Sequence, residues 1–348
     1  MRIKKNCLLS LDKFIDESLY NKKFGYYMRG NPFGEKGDFI TAPNISVLFS
    51  EMIAIWIVSF WESLNFPKQF NLIELGAGNG EMMAIMISTF NKFPQFKNSC
   101  NIRILEKSKY LRKIQKKKLR DCKVKWLDDL KDLDNLPCIF IANEFFDALP
   151  IKQFIKKKSV WHERYVKFNS SLKSEYLDIP FDIKKLEKEI KFKISLKQNF
   201  IEYSPLASEY LKDISNKVNH NNGGILIIDY GYLDKEMKNT IQAVSRHKYT
   251  DILSSFRNSD ITYNLSFNLI SQVIRKLGSF FQATTTQKKF LTKLGILKRA
   301  EILSKNMPFN KKADLYFRIK RLIDEKQMGN LFKVTFIRNK KNKFKLGF

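Results

Sequence analysis

The sequence predicts an α/β protein built on a doubly wound, mostly parallel sheet. Three observations carry that expectation. From residue 71 onward, apolar strand-like runs alternate with helix-period segments. The first run ends in a glycine-rich turn. Acidic residues then recur at the ends of successive runs, where an open α/β sheet places its ligands.

Ahead of that alternation, MRIKKNCLLSLDKF reads as the start of an amphipathic helix. It has no sustained apolar core or cleavage site of the secretory kind. The glycine-rich loop GYYMRGNPFGEKGDFITAP follows, and then MIAIWIVSFW (Met52–Trp61), bracketed by Glu51 and Glu62. That run is shorter than the roughly 20 apolar residues a membrane crossing needs, so it reads as a buried helix. The first core strand, NLIEL (Asn71–Leu75), enters a turn carrying Gly76, Ala77, Gly78 and Gly80, before the helix EMMAIMISTF.

The strand NIRIL (Asn101–Leu105) ends in Glu106, and the basic helix SKYLRKIQKKKL comes after it. A short strand, VKWL (Val124–Leu127), meets the acidic turn Asp128–Asp129. CIFIA (Cys138–Ala142) runs into NEFFDALP (Asn143–Pro150). Past Pro150, IKQFIKKKSVWHERYVKF reads as two strands joined by a polar turn, with a Lys/Glu-rich stretch after it. GGILIIDYG (Gly223–Gly231) restores the core pattern. NLSFNLISQVIRKLG and the segment from Gln287 to Met328 are expected to be helical, and LFKVTFIRN is the last strand. The expected organisation is an N-terminal helical region with a lid loop (1–70), the first half of the core (71–150), an inserted subdomain (151–200) and the second half of the core (201–348).

Composition narrows the class. The chain has 348 residues, 44% of them hydrophobic and 14% aromatic, as a folded protein with ample core requires. Cys7, Cys100, Cys122 and Cys138 form no CxxC pair, and His162, His220 and His247 are scattered, so neither a zinc site nor a disulfide framework is indicated. The formal charge of +28 would attract polyanions. Yet the lysines accompany abundant Asn, Ile and Phe, the residues of AT-rich codons, and lie dispersed. A solvated basic surface is favoured over a dedicated nucleic-acid face.

The strand ends carry the chemistry. Glycines at that spacing let backbone pass close to a flat nucleoside, and Glu106 stands where ribose hydroxyls are accepted. Glu74 would repel a pyrophosphate but suits a cationic aminoacyl end. In NEFFDALP, Asn143, Glu144 and Asp147 put an amide and two carboxylates into an otherwise apolar loop. Such desolvation needs cations or donors to offset it, or else the acids cap a helix or pair with a lysine. Asp38, Thr41, Pro43 and Ser46 belong either to a lid over a ligand or to an ordinary helix-entry loop. Asp229, in IIDYG, either orients substrate or caps a turn.

These motifs together resemble the MidA-type protein arginine methyltransferases, the family of the mitochondrial complex I assembly methyltransferase and its bacterial relatives. The shared signatures run in order across nearly the whole chain: GYY…GDFITAP.IS..F.E, ELG.G.G, EKSKYLRKIQ, NEFFDALP, W.ER, IDYG, DIT…F, TQ..FL..LGI and MG.LFKV. The resemblance implies a Rossmann-like class I fold that uses S-adenosyl-L-methionine and methylates an arginine of a complex I core subunit.

It maps cofactor contacts onto Glu74, Gly76, Ala77, Gly78, Gly80, Glu106, Asp128 and Asn143, with a lid from Asp38, Thr41, Pro43 and Ser46. The substrate clamp maps onto Glu144 and Asp147, with Asn143 beside them. A guanidinium is a planar fork of donors that carboxylates grip bidentately. Four positions depart from the family pattern: Asn44, Ser50, Asn79 and Ser266.

Two rivals remain open at this stage, a nucleic-acid methyltransferase and a non-catalytic assembly chaperone that keeps a cofactor pocket. The acidic loop argues against the first, since neutral groups normally meet an exocyclic amine there, and no specific nucleic acid is expected. The implied partner is a protein substrate, and a homodimer is compatible with the sequence. The absence of an Arg/Ser-rich transit segment favours a bacterial cytoplasm over a mitochondrial matrix.

Overall fold

A computed structural model describes residues 6–30, 32, 41–171, 173–245 and 248–348. Its centre is a sheet whose seven main strands are β1 (Phe70–Leu75), β2 (Cys100–Leu105), β3 (Val124–Leu127), β4 (Cys138–Asn143), β5 (Gly223–Tyr232), β6 (Phe280–Thr286) and β7 (Phe332–Asn339). They lie in the order β6-β7-β5-β4-β1-β2-β3. Strands β3, β2, β1, β4 and β5 are mutually parallel, whereas β7 runs antiparallel to both β5 and β6. A two-residue strand, Leu265–Ser266, extends the tip of β5.

The central strands are mostly apolar because both faces are covered. Alternation then sorts their side chains between two cores. Phe70, Leu72, Ile139, Ile141, Leu226, Ile228, Val334 and Phe336 point into one, packed by helices Val47–Ser63, Glu81–Phe90 and Phe309–Ile323. Ile73, Leu75, Phe140, Ala142, Ile225, Ile227 and Ile337 point into the other, under helices Leu11–Tyr20, Pro205–Asn221 and Phe267–Leu277. The apolar run at 52–61 lies inside helix Val47–Ser63, whose Ser46 cap accepts from Leu48 N at 3.3 Å. Among the described residues, no helix is long and apolar enough to cross a membrane.

A second, antiparallel sheet joins Lys152–Lys157, Val160–Phe168, Ser174–Pro180 and Phe200–Tyr203. The expected two strands after Pro150 are present as the hairpin 152–168, and the Lys/Glu-rich stretch supplies a further strand and the helix Ile183–Ile190. The N-terminus differs from expectation. Leu8–Ser10 is a strand paired with Tyr165–Lys167, and the helix begins only at Leu11. Its backbone donors go to a distant hairpin, a choice that local periodicity does not encode. The segment after Gln287 is three helices, Gln287–Lys293, Ile296–Ser304 and Phe309–Ile323, rather than one. Gly295, at φ +86°, separates the first two, and Pro308 precedes the third.

Candidate active site

The carboxyl ends of β1, β2 and β4 surround one cleft with two lobes. One lobe, about 660 Å³, is walled by Gly76, Gly78, Glu106, Phe145, Tyr27 and Tyr210. The other, about 390 Å³, is walled by Glu74, Ala77, Asn79, Asn143, Thr41 and Pro43. Gly76, Gly78 and Glu144 line both lobes.

The glycine turn needs its glycines. Gly76, Gly78 and Gly80 have φ of +68°, +52° and +77°, in the region L side chains rarely adopt. A Cβ on Gly76 would stand 2.7 Å from the Phe145 ring. Gly76 N donates to Leu105 O at 2.9 Å, which ties the turn to the end of β2. Behind the turn, Gln115 Nε2 donates to Gly78 O at 2.8 Å and to Glu106 Oε2 at 3.1 Å. The Trp126 indole in turn donates to Gln115 Oε1 at 2.8 Å.

Glu106 also accepts from Ser108 N at 2.8 Å. Burial raises its carboxyl to about 7, against the pull of those hydrogen bonds. Glu74 is 3% exposed, and its Oε2 is buried with no hydrogen-bond partner. Burial first, and then the charge of Glu106, push it to about 8.

The carboxylate loop is strained at its functional tip. Glu144 has φ +49°, held by its N–H donating to Ile228 O at 2.9 Å. Its Oε1 accepts from Asn143 Nδ2 at 3.3 Å and from Ala42 N at 3.4 Å. Burial, and next the negative charge of Asp147, raise Glu144 to about 8. The expected clamp pairs Glu144 with Asp147, but their surroundings differ. Glu144 faces the cleft, whereas Asp147 is 4% exposed, accepts from the Tyr230 hydroxyl, and leaves Oδ1 enclosed without a partner. Asp229 is fully buried and accepts from Asp147 N at 3.3 Å and Tyr230 N at 3.0 Å. Burial, followed by the charges of Asp147 and Glu144, raises its carboxyl.

The other expected site residues fall in three places. Thr41 and Pro43 line the smaller lobe, but Ser46 is the buried N-cap of helix Val47–Ser63. Asp128 is exposed at the end of β3, bound to Arg112 Nη2 at 2.7 Å, and lines neither lobe. Asp38 lies outside the described residues.

Sequence reasoning missed the pair Arg112 and Gln115, three residues apart on helix Lys109–Lys118. Arg112 also bridges Glu106 O at 2.5 Å and Leu127 O at 2.6 Å, fixing the ends of β2 and β3. A one-turn spacing after the Ser108 cap was the available signal. Sequence reasoning also missed Tyr20, which stacks on Tyr27 at 5.6 Å on the larger lobe. Two of the departures from the family pattern touch each other: Asn79 Nδ2 donates to Asn44 Oδ1 at 3.2 Å, latching the 42–45 turn onto the glycine loop. A neutral amide pair therefore spans the gap between lid and loop.

The residues fit S-adenosyl-L-methionine. An aromatic and aliphatic slot beside Glu106 suits an adenosine, the glycine turn leaves room for backbone to meet it, and the unpartnered Glu74 oxygen suits an ammonium.

Known proteins agree. The protein arginine methyltransferase NDUFAF7, mitochondrial, of Xenopus tropicalis is 28% identical over 357 residues, which cover 95% of this chain and 83% of the relative. Its Homo sapiens namesake is 27% identical over 95% of this chain and 80% of its own length. A Burkholderia thailandensis protein solved with S-adenosyl-homocysteine bound superposes with a TM-score of 0.81 at 22% identity, over 98% of this chain and 90% of that one. At that identity the superposition speaks for the fold, a Rossmann-like methyltransferase architecture. A family model described as an S-adenosyl-L-methionine-dependent methyltransferase matches residues 52–284, about two thirds of the sequence, and the chain belongs to that family.

Proposed function

We propose that the protein is an arginine N-methyltransferase acting on a protein, with an arginine of a respiratory complex I core subunit as its target. The carrying observation is Glu144. It is a strained, half-buried carboxylate facing a cleft that also holds the glycine turn, and it is backed by two more enclosed acids, Asp147 and Asp229. Buried anions in that number favour an incoming cation and repel phosphate. The curated relatives are named as protein arginine methyltransferases, which points the same way. The complex I target follows from the family resemblance alone.

When bound, the cofactor supplies an electrophilic methyl group on a sulfonium. The chain's residues do the rest. Glu74 would hold its aminoacyl ammonium, and Glu106, held by Gln115 and Ser108, would hold its ribose hydroxyls. Glu144 would accept from the guanidinium, orient one of its nitrogens into the cleft, and take the proton that nitrogen gives up. Behind Glu144, Asp229 accepts from the Asp147 N–H, and the Tyr230 hydroxyl donates to Asp147 and fixes its orientation. Positioning of reacting groups at about 3–3.5 Å is worth roughly 7–11 kcal/mol, so modest chemistry suffices.

The test is incubation with methyl-labelled S-adenosyl-L-methionine and cell protein, RNA or DNA, followed by hydrolysis. Label in methylarginine that disappears with Glu144→Gln supports the reading. Label only in nucleic acid, or cofactor binding with no transfer to any acceptor, sinks it.

A further inference from the structure

The smaller lobe opens into a groove that the cofactor reading does not use. The groove has a volume of about 790 Å³ and shares Pro43, Asn44 and Glu81 with the lobe. Its far wall is helix Phe309–Ile323, contributing Lys311, Asp314 and Arg318. Arg318 is committed to the wall itself, with Nε on Asp314 at 2.8 Å and Nη1 on Ile45 O at 3.3 Å. Glu81 is likewise bound, by Lys118. Lys311 is exposed, and among the described residues no ion pair holds its ammonium.

Three properties decide what lies there. First, the groove is more open to solvent than either lobe of the cleft, which suits a chain segment laid across the surface better than an enclosed small molecule. Second, it is continuous with the lobe lined by Glu144, so a residue inserted there has its neighbours along the groove. Third, the lining combines apolar Leu303, Met307 and Leu315 with Lys311, whose ammonium no ion pair holds among the described residues. Such a lining complements apolar and acidic residues.

We propose that this groove is the track for the substrate polypeptide and takes acidic and apolar residues flanking the acceptor arginine. The proposal rests on the protein arginine reading of the cleft. It gives the enzyme a division of labour: the cleft recognises the guanidinium, and the groove selects which arginine reaches it.

The experiment uses the full chain saturated with S-adenosyl-homocysteine and two fluorescent synthetic peptides. Each has one arginine, flanked by Asp and Leu in one and by Lys and Leu in the other, and binding is read by anisotropy. The acidic peptide is expected to bind at least about tenfold more tightly, a difference of about 1.4 kcal/mol, and to weaken as salt rises. Lys311→Glu should reduce its affinity about fivefold or more. Lys320→Glu makes the same charge change on the same helix nine residues on, about 180° round its axis, and should leave affinity within twofold.

Equal binding of the two peptides, no binding of either, or equal loss with both variants overturns the proposal. So does an RNA oligonucleotide that binds at Lys311 more tightly than the acidic peptide. Calorimetry of S-adenosyl-homocysteine on the same samples keeps the two readings apart. Lost cofactor binding in the wild type would break the methyltransferase reading, whereas intact cofactor binding without peptide preference breaks only the groove.

Discussion

Replacing Glu74 by Gln should make the ligand-free protein more stable and its cofactor affinity worse. Glu74 lies near the end of a mostly apolar strand, with a carboxyl pushed to about 8 by burial and the charge of Glu106. A carboxyl whose folded value is raised binds its proton more tightly in the native state. Stability is therefore fully present below about 4.5 and falls as pH climbs toward about 8.

At pH 7 the native state holds a proton that water would remove. Keeping it costs about 3 kcal/mol, at about 1.4 kcal/mol for each of two and a half pH units above the ordinary value of 4.5. Glutamine has no such proton to hold. With about 2.1 cal/mol/K of unfolding entropy per residue, a chain of 348 residues gains about 4 °C in Tm at pH 7. The same change removes a charge-assisted contact worth about 1.5–3 kcal/mol, so S-adenosyl-homocysteine should bind about 10- to 150-fold more weakly. Scanning calorimetry at pH 6, 7 and 8 and isothermal titration read both effects. A Gln variant that melts lower than wild type at pH 7, or that binds S-adenosyl-homocysteine normally, refutes the assignment of Glu74 to the ammonium.

Three further outcomes follow from the same geometry. Glu144→Gln should cut kcat/KM about 100- to 1000-fold, and Asp147→Asn about tenfold, with cofactor affinity unchanged in both; equal losses would mean that both carboxylates touch the substrate. Because Glu144 sits near 8, a bound guanidinium should lower it and expel a proton at pH 7, so the heat of substrate binding should vary with buffer ionisation enthalpy and kcat/KM should rise from pH 6 to 8. Buffer-independent heats would contradict this. Gly76→Ala, forced into φ +68° against Phe145, should lose about 1–3 kcal/mol of stability and most cofactor binding; unchanged binding would show that the turn tolerates a Cβ.

The parallel core is legible in sequence because its strands are mostly apolar runs, the first of which meets a glycine turn, a signal that depends on no distant partner. Less legible are the edges. FFQATTT in β6 is half-buried and threonine-rich, and it is extended because β7 supplies its hydrogen bonds. Gln242–Ser245 forms a strand only against Lys248–Thr250 and Asp260–Thr262.

The site divides similarly. Glu74, Glu106 and Glu144 stand at strand or loop positions that spacing marks. By contrast, the Tyr230–Asp147 contact and the Asn44–Asn79 latch join residues 83 and 35 positions apart, and only tertiary packing brings them together. Ser46 reads as a lid residue because capping and ligand contact ask for the same hydroxyl in the same kind of loop.

The opening residues are fastened to a hairpin made much later: Leu9 faces Val166 across the strand pair. On the ribosome, Leu8–Ser10 must wait, unzipped, until that hairpin emerges. Helix Leu11–Tyr20, which follows directly and brings Tyr20 to the larger lobe, is anchored by the same closure. Deleting Leu8–Ser10 would therefore be felt at the larger lobe, although none of the removed atoms belongs to it.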